Sequence, residues 1–349
     1  MWLTEQIVFL IIPNPSIKQI DGFFISSALL HRSGKMRKIQ VVFIKFREKS
    51  RKPMYSNFKT YLILFSGVFA LSTSAIFVKL ADAPSGVTAF YRLFLAALAL
   101  LPFLLLRKEA RTEVRELSGG QWGKIIAAGL FLALHYVMWF ESLRFTSIAS
   151  STVLVSLQPL FSLALERVFL HSKLKATAIS GCAIALAGCV IIGAGDFQIS
   201  GRGLVGDVIA FWAAGVIACY FFIGQTVRQE VSTVTYSVLS YCVSAVALAG
   251  YTLTQGDSFV GYTDVTWLAF LGLALVSTIG GQFIFNLLLN KLPASAVTMS
   301  ILGEPIGTCI LAYLFLHESI SLQQLVGIVV IIGGLSIYFV LPERNTACG

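Results

Sequence analysis

The stretch Val297–Ile320 reads VTMSILGEPIGTCILAYLFLHESI, and 146 positions earlier Ser151–Leu174 reads STVLVSLQPLFSLALERVFLHSKL. Pro305 falls on Pro159, Glu304 on Gln158, and Phe315-Leu316-His317 on Phe169-Leu170-His171. The offset holds downstream, placing Gly327 on Gly181 and Gly334 on Gly188. Each stretch is an apolar run with a proline near its middle. Proline has no N–H to donate, and its ring disturbs the carbonyl four residues back, so each run reads as a helix broken halfway. A long repeat in an apolar chain is the signature of a duplicated membrane bundle, and helices interrupted at matching positions point to a binding site.

Composition sets the class. Of 349 residues, 56% are hydrophobic and only 12% charged, and the mean hydropathy is +0.82. Water-soluble domains carry about 25% charged residues, so this chain lacks the polar surface to face water. Apolar runs of about 20 residues recur, the length that carries a helix across hydrocarbon. Alternating ten-residue strands are absent, which argues against a β-barrel. Ten spans are expected, at 60–80, 87–106, 123–144, 148–169, 175–195, 204–226, 234–254, 265–288, 294–316 and 322–341. The fold class is all-α integral membrane, with a first repeat over 60–195, a second over 204–341 and a tail over 342–349. Five spans per repeat is an odd number. The second repeat therefore enters the bilayer upside down, as two inverted five-helix repeats.

Orientation follows from the basic residues. With the N-terminus inside, the inner connections hold Arg107, Lys108, Arg111, Arg115, Lys124, Arg167, Lys173, Lys175, Arg228, Lys291 and Arg344, and the outer ones only Arg144 and Arg202. This positive-inside bias places both termini in the cytoplasm and the chain in the cytoplasmic (plasma) membrane. It also accounts for the net charge of +9 without nucleic acid. Residues 1–59 stand apart: Ile7 to Ile12 is too short to span, and Arg32 to Lys52 holds nine basic residues. Two readings are open, a segment drawn to anionic lipid or a gene-model extension starting truly at Met36 or Met54. No cleavable signal precedes the first span.

Catalytic and metal patterns are missing. The cysteines lie in spans or in the tail with no ligand spacing, and no nucleophile–base set stands out. No cofactor, metal or enzymatic activity is expected.

The paired Leu157-Gln158-Pro159-Leu160 and Gly303-Glu304-Pro305-Ile306, each followed by a short loop and a glycine-rich fifth helix, resemble the EamA-type ten-helix carriers of the drug/metabolite transporter superfamily. The resemblance covers residues 60–341. It implies a substrate cavity between the repeats and export of amino acids, related metabolites or drug-like amphiphiles. Members of that family often carry Glu-Pro in both halves, whereas here Gln158 replaces the first acid. Lys79 and Arg92 are similar to basic positions common in such carriers.

The candidate site residues are the polar groups that are costly in lipid. Glu304 lies halfway along its span, where a charge costs at least ~2.5 kcal/mol unless it meets a cavity or a partner. Ser300 and Thr308 extend its face at i−4 and i+4. Gln158 is its counterpart in the first repeat. Thr278, Gln282 and Asn286 form an i, i+4, i+8 stripe that lines a cavity or glues helices together. The matching part of the third span carries His135, Tyr136 and Trp139, aromatic groups suited to an apolar or planar solute or to core packing. Arg92, Lys79 and Glu141 form an outer charge cluster, a gate or a greeting for an anionic group. Gly181/Gly188 and Gly327/Gly334 are packing seams, either within the bundle or in a homodimer. Glu166 is read as an ion pair at the cytoplasmic interface.

These features converge on a secondary transporter moving a small organic solute by alternating access, with proton coupling through Glu304. The alternatives are an uptake carrier for a nucleoside-like or phosphorylated metabolite, and a membrane scaffold or lipid-handling protein.

Overall fold

The computed structural model describes residues 58–142, 144–146, 148–172, 175–193, 203–316 and 321–340. The N-terminal segment up to residue 57, His317, Glu318 and the tail lie outside them, as do Lys173, Arg202 and Arg344. The described residues contain helices and no strand. In chain order they are α1 (Phe58–Leu80), α2 (Ser85–Leu106), α3 (Lys108–Glu116), α4 (Gly119–Ser142), α5 (Ile148–Val155), α6 (Gln158–Phe169), α7 (Ala176–Gly193), α8 (Gly203–Val227), α9 (Thr233–Gln255), α10 (Asp264–Gly272), a π-helical segment (Leu273–Phe283), α11 (Ile284–Leu288), α12 (Ala294–Ile301), α13 (Glu304–Leu316) and α14 (Leu322–Phe339). Among the described residues, nine helices are long and apolar enough to cross a membrane, with the shorter apolar Ala176–Ile192 where a fifth span is expected.

The fourth and ninth expected spans are each two helices, α5–α6 and α12–α13. Both break at equivalent positions. Leu157 N–H donates to the Leu154 carbonyl at 3.1 Å and Gly303 N–H to the Ser300 carbonyl at 2.9 Å. These i→i−3 bonds tighten the turn ahead of each proline, which has no N–H to continue the α-helical ladder.

Helix pairing shows the inversion directly. α7 and α14 pack on each other, as do α2 and α9; α1 packs on the π-helical segment as α4 packs on α8. Exchanging the repeats maps every one of these pairs onto another pair or onto itself. A Cβ added at Gly181 would lie 2.8 Å from the Gly334 carbonyl, and one at Gly188 2.8 Å from the Gly327 carbonyl. Early residues of α7 thus meet late residues of α14, so these equivalent helices run antiparallel. That is an inverted repeat. The glycine seam lies within the bundle, where the missing side chains let two backbones approach.

α3 is a helix that the hydropathy pattern does not reveal, since its residues, KEARTEVRE, are nearly all polar. Ala, Glu, Lys and Arg are strong helix formers, and this propensity carries a short helix between two spans. Its Glu113 holds the start of α9, accepting from Ser232 N–H and Ser232 Oγ at 2.6 Å each and from Thr235 Oγ1 at 2.5 Å.

The seam makes a paired prediction. Gly188→Ala would push Cβ against the Gly327 carbonyl and Ile331, and should destabilise the detergent-solubilised protein by about 1–3 kcal/mol. Gly333→Ala meets no atom within 4 Å and should be neutral or stabilise by up to about 1 kcal/mol. Thermal unfolding of both variants tests the contrast.

Candidate functional site

Glu304 opens α13 immediately after the break. Ser72 Oγ of α1 donates to its backbone carbonyl at 3.0 Å, and Thr308 Oγ1 returns toward the Ser72 carbonyl at 3.5 Å. These contacts tie α13 to α1. The Glu304 carboxylate itself makes no hydrogen bond with a described residue. The residue is half-buried.

Arg92 is the opposite charge within electrostatic reach of Glu304. It is 4% exposed. Its Nε donates to Thr278 Oγ1 at 3.0 Å and its Nη1 to Ser74 Oγ at 2.9 Å, while the guanidinium carbon lies 5.2 Å from the centre of the Tyr136 ring. Hydroxyls and an aromatic face thus stabilise this cation, with no carboxylate of the described residues in direct contact. Thr278 sits in the π-helical segment and its own hydroxyl donates five residues back, to the Leu273 carbonyl at 2.8 Å. π-helical insertions recur at functional sites, where they re-aim side chains out of the α-helical register.

The third-span aromatics form a ladder. His135 stacks on Trp139 at 6.3 Å between centroids, Trp139 on Phe140 at 5.0 Å, and Tyr136 on Phe140 at 6.1 Å. His135 Nδ1 lies 3.1 Å from the Ala213 carbonyl. A carbonyl can only accept, so Nδ1 carries a hydrogen in this contact. The pseudo-symmetric equivalents of His135 and Ala213 are Gly281 and Gly67, which pack in close contact with no side chain between them. The repeats thus share a backbone approach but differ in what fills it.

The 278–282–286 stripe divides by depth. Asn286 is fully buried: Tyr220 Oη donates to its Oδ1 at 3.0 Å, and its Nδ2 reaches Tyr220 Oη at 2.8 Å, Ser237 Oγ at 3.0 Å and Tyr241 Oη at 3.3 Å. This amide knits α8, α9 and α11 together and is fully engaged. Gln282, one turn away, has an Nε2 with no partner; Gln158 Oε1 and Trp139 Nε1 are likewise buried and unpartnered. Buried polar atoms in native proteins are hydrogen-bonded as a rule, so these two donors and one acceptor call for water or a solute.

Arg92, Lys79 and Glu141 do not form one cluster. Glu141 binds Arg144 at 3.1 Å and accepts from Tyr251 Oη at 2.5 Å, whereas the Arg92 bonds go inward and Lys79 is exposed. Glu166 is held in a way that the charge pattern does not foretell, accepting from the Ser295 N–H and Oγ at the start of α12. Ser74, Tyr220, Ser237 and Tyr241 escape the sequence reading because single hydroxyls in apolar spans are common. Tyr220 lies one repeat length after Ser74, a coincidence visible in the sequence but mute without the network. No group of three His, Cys, Asp or Glu residues able to hold a metal ion occurs among the described residues.

The division of the stripe is testable. Asn286→Ala leaves buried hydroxyls without partners and should cost about 1–3 kcal/mol of stability. Gln282→Leu removes a nitrogen that has no partner and should cost clearly less. Comparing unfolding temperatures of the two variants checks this ordering.

Known proteins place the architecture. The profile of the EamA-like transporter family matches residues 58–194 and again 204–340. An uncharacterized transporter of Bacillus subtilis, YwfM, is 22% identical over 304 residues, covering 84% of this chain and 97% of the relative. A probable amino-acid metabolite efflux pump of Salmonella typhimurium is 26% identical over 239 residues, covering 65% of this chain and 78% of the pump. A solved crystal structure superposes with a TM-score of 0.69 at 18% identity, over 81% of this chain and 96% of that one, a likeness of fold. With both halves matched and the helices paired as inverted repeats, the chain belongs to the EamA-like transporter family and is a membrane transporter.

Proposed function

We propose that this chain is a secondary transporter that exports a small organic solute, an amino acid or related metabolite, across the cytoplasmic membrane by alternating access. The observation that carries the reading is that Arg92 and Glu304 both lie within apolar spans and do not bond to each other. Arg92 is oriented by Thr278 and Ser74, and the Glu304 carboxylate is left without a hydrogen-bonding partner among the described residues. A solute with one anionic and one cationic group satisfies both. The unpartnered Trp139, Gln158 and Gln282 atoms supply further contacts, and the His135–Trp139–Phe140 ladder favours a flat or apolar portion. The efflux-pump relative points to the same solute class.

Glu304 is the group proposed to exchange a proton for solute. Gln158 at the equivalent position can donate and accept hydrogen bonds but carries no proton across, so the site has one ionisable centre at the helix breaks. The basic face is assigned to the cytoplasm, which puts both termini there.

Two measurements test this reading. In a thermal-shift screen of amino acids, nucleosides, organic acids and cationic drugs, an amino-acid-like solute at a hundred times its Kd should stabilise the protein by about 2.7 kcal/mol. Arg92→Lys should abolish that shift, because an ammonium cannot reproduce the guanidinium fork. In proteoliposomes, Glu304→Gln should weaken solute binding and lose pH-driven accumulation. Unchanged accumulation with unchanged pH dependence in that variant rules out Glu304 as the coupling group.

A further inference from the structure

The pseudo-two-fold symmetry is broken at the interrupted spans. At the basic face, the end of α6 packs against α12. The equivalent pair at the opposite face is α5 with α13, and among the described residues these two pack on each other less than α6 and α12 do. Among the described residues, the broken spans pack most closely on the basic side.

What closes them is specific. Glu166 is 5% exposed and Ser295 3%. The Ser295 backbone N–H donates to Glu166 Oε1 at 2.8 Å and its hydroxyl to Glu166 Oε2 at 2.7 Å, while Tyr338 Oη donates to Ser295 Oγ at 3.4 Å. Ser295 is the second residue of α12, whose first N–H groups have no intrahelical acceptor. A carboxylate there gains charge-assisted hydrogen bonds and the favourable end of the helix dipole. One repeat length away, the sequence has Ala312 in place of Glu166 and Ala149 in place of Ser295. An alanine side chain can form neither bond, so the same carboxylate–serine pair is not encoded one repeat length away.

We infer that Glu166 and Ser295 form a latch that holds the central site shut toward the basic face, biasing the resting protein to open on the opposite side. This rests on the transport reading. A symmetric bundle passes between two related states, and an interaction present in one state alone shifts their populations by its own strength. Glu166 is thus a positioning residue: it touches no solute but sets which side the site faces. Gln158, Ser162 and Glu166 follow one another at i, i+4 and i+8 along α6, and all three are buried. Ser162 stands between the site and the latch, and its hydroxyl has no partner.

Ser162 is the natural reporter. In a chain with its six cysteines replaced, Ser162→Cys is reconstituted into vesicles, and a membrane-impermeant maleimide is applied from either face. Slow labelling from the basic face is expected with Glu166 present. Glu166→Ala should raise that rate roughly tenfold, and Ser295→Ala, which keeps the backbone N–H bond, should raise it less. An unchanged basic-face rate in both variants overturns the latch, as does an equal rise from both faces, which signals a loosened fold. If Glu166→Ala does not assemble as a monodisperse protein, Ser295→Ala decides alone: a one-sided rise supports the latch and no change overturns it. Solute flux by the native chain is measured separately. A one-sided rise without flux of any solute upholds the latch and sinks the transport reading, whereas flux without the rise sinks the latch alone.

Discussion

Hydrocarbon offers no hydrogen bonds, so a polar atom carried to the middle of a span must find its partner in protein or in enclosed water. This constraint organises the bundle. Breaking two helices halfway leaves backbone groups to satisfy, and Leu157 N–H and Gly303 N–H bond to the Leu154 and Ser300 carbonyls across the breaks. Arg92 on α2 needs acceptors, and Ser74 and Thr278 are in place, the latter aimed by a π-helical turn. Asn286 is surrounded by three hydroxyl groups. The atoms left without partners are therefore informative, because elsewhere the rule is obeyed.

The duplication supplies a built-in comparison. Where the two repeats keep the same residues, as at the prolines and the paired glycines, they keep the same geometry: equal backbone approaches at Gly181–Gly334 and Gly188–Gly327, and matching turns before each proline. Where the residues differ, chemistry appears on one side only. His135 fills a contact that is glycine on glycine in the other half, and Glu304 faces Gln158 as its equivalent. Function in an inverted repeat is carried by such departures, because a perfectly symmetric bundle has no preferred side.

Much of this was legible in the chain itself. The apolar runs, the offset of 146 and the odd number of spans led to the inverted fold, because length and periodicity respond to the bilayer directly. Arg92 and Glu304 stood out because an ionisable group in an apolar run is rare. The polar stripe on the eighth span was visible too, but its division was not: Thr278 orients a cation, Asn286 ties helices together and Gln282 keeps a free donor. Spacing along one helix reports a shared face and says nothing of the neighbours that face meets. Arg92 and Glu141 bond to different partners for a related reason, since similar depth in the bilayer does not by itself bring side chains on different helices into contact.

The amino-acid sequence by itself determined that the chain lives in a membrane, that it is two related halves in opposite orientation, and where its helices break. Those properties depend on composition, period and local backbone chemistry, which are written residue by residue. Only the tertiary structure decided which polar groups meet, that the glycine seam lies inside the bundle, and that Glu166 caps α12 beside Tyr338. Each of those is a contact between segments far apart in the chain. Its geometry follows from how whole helices pack, and no local pattern encodes it.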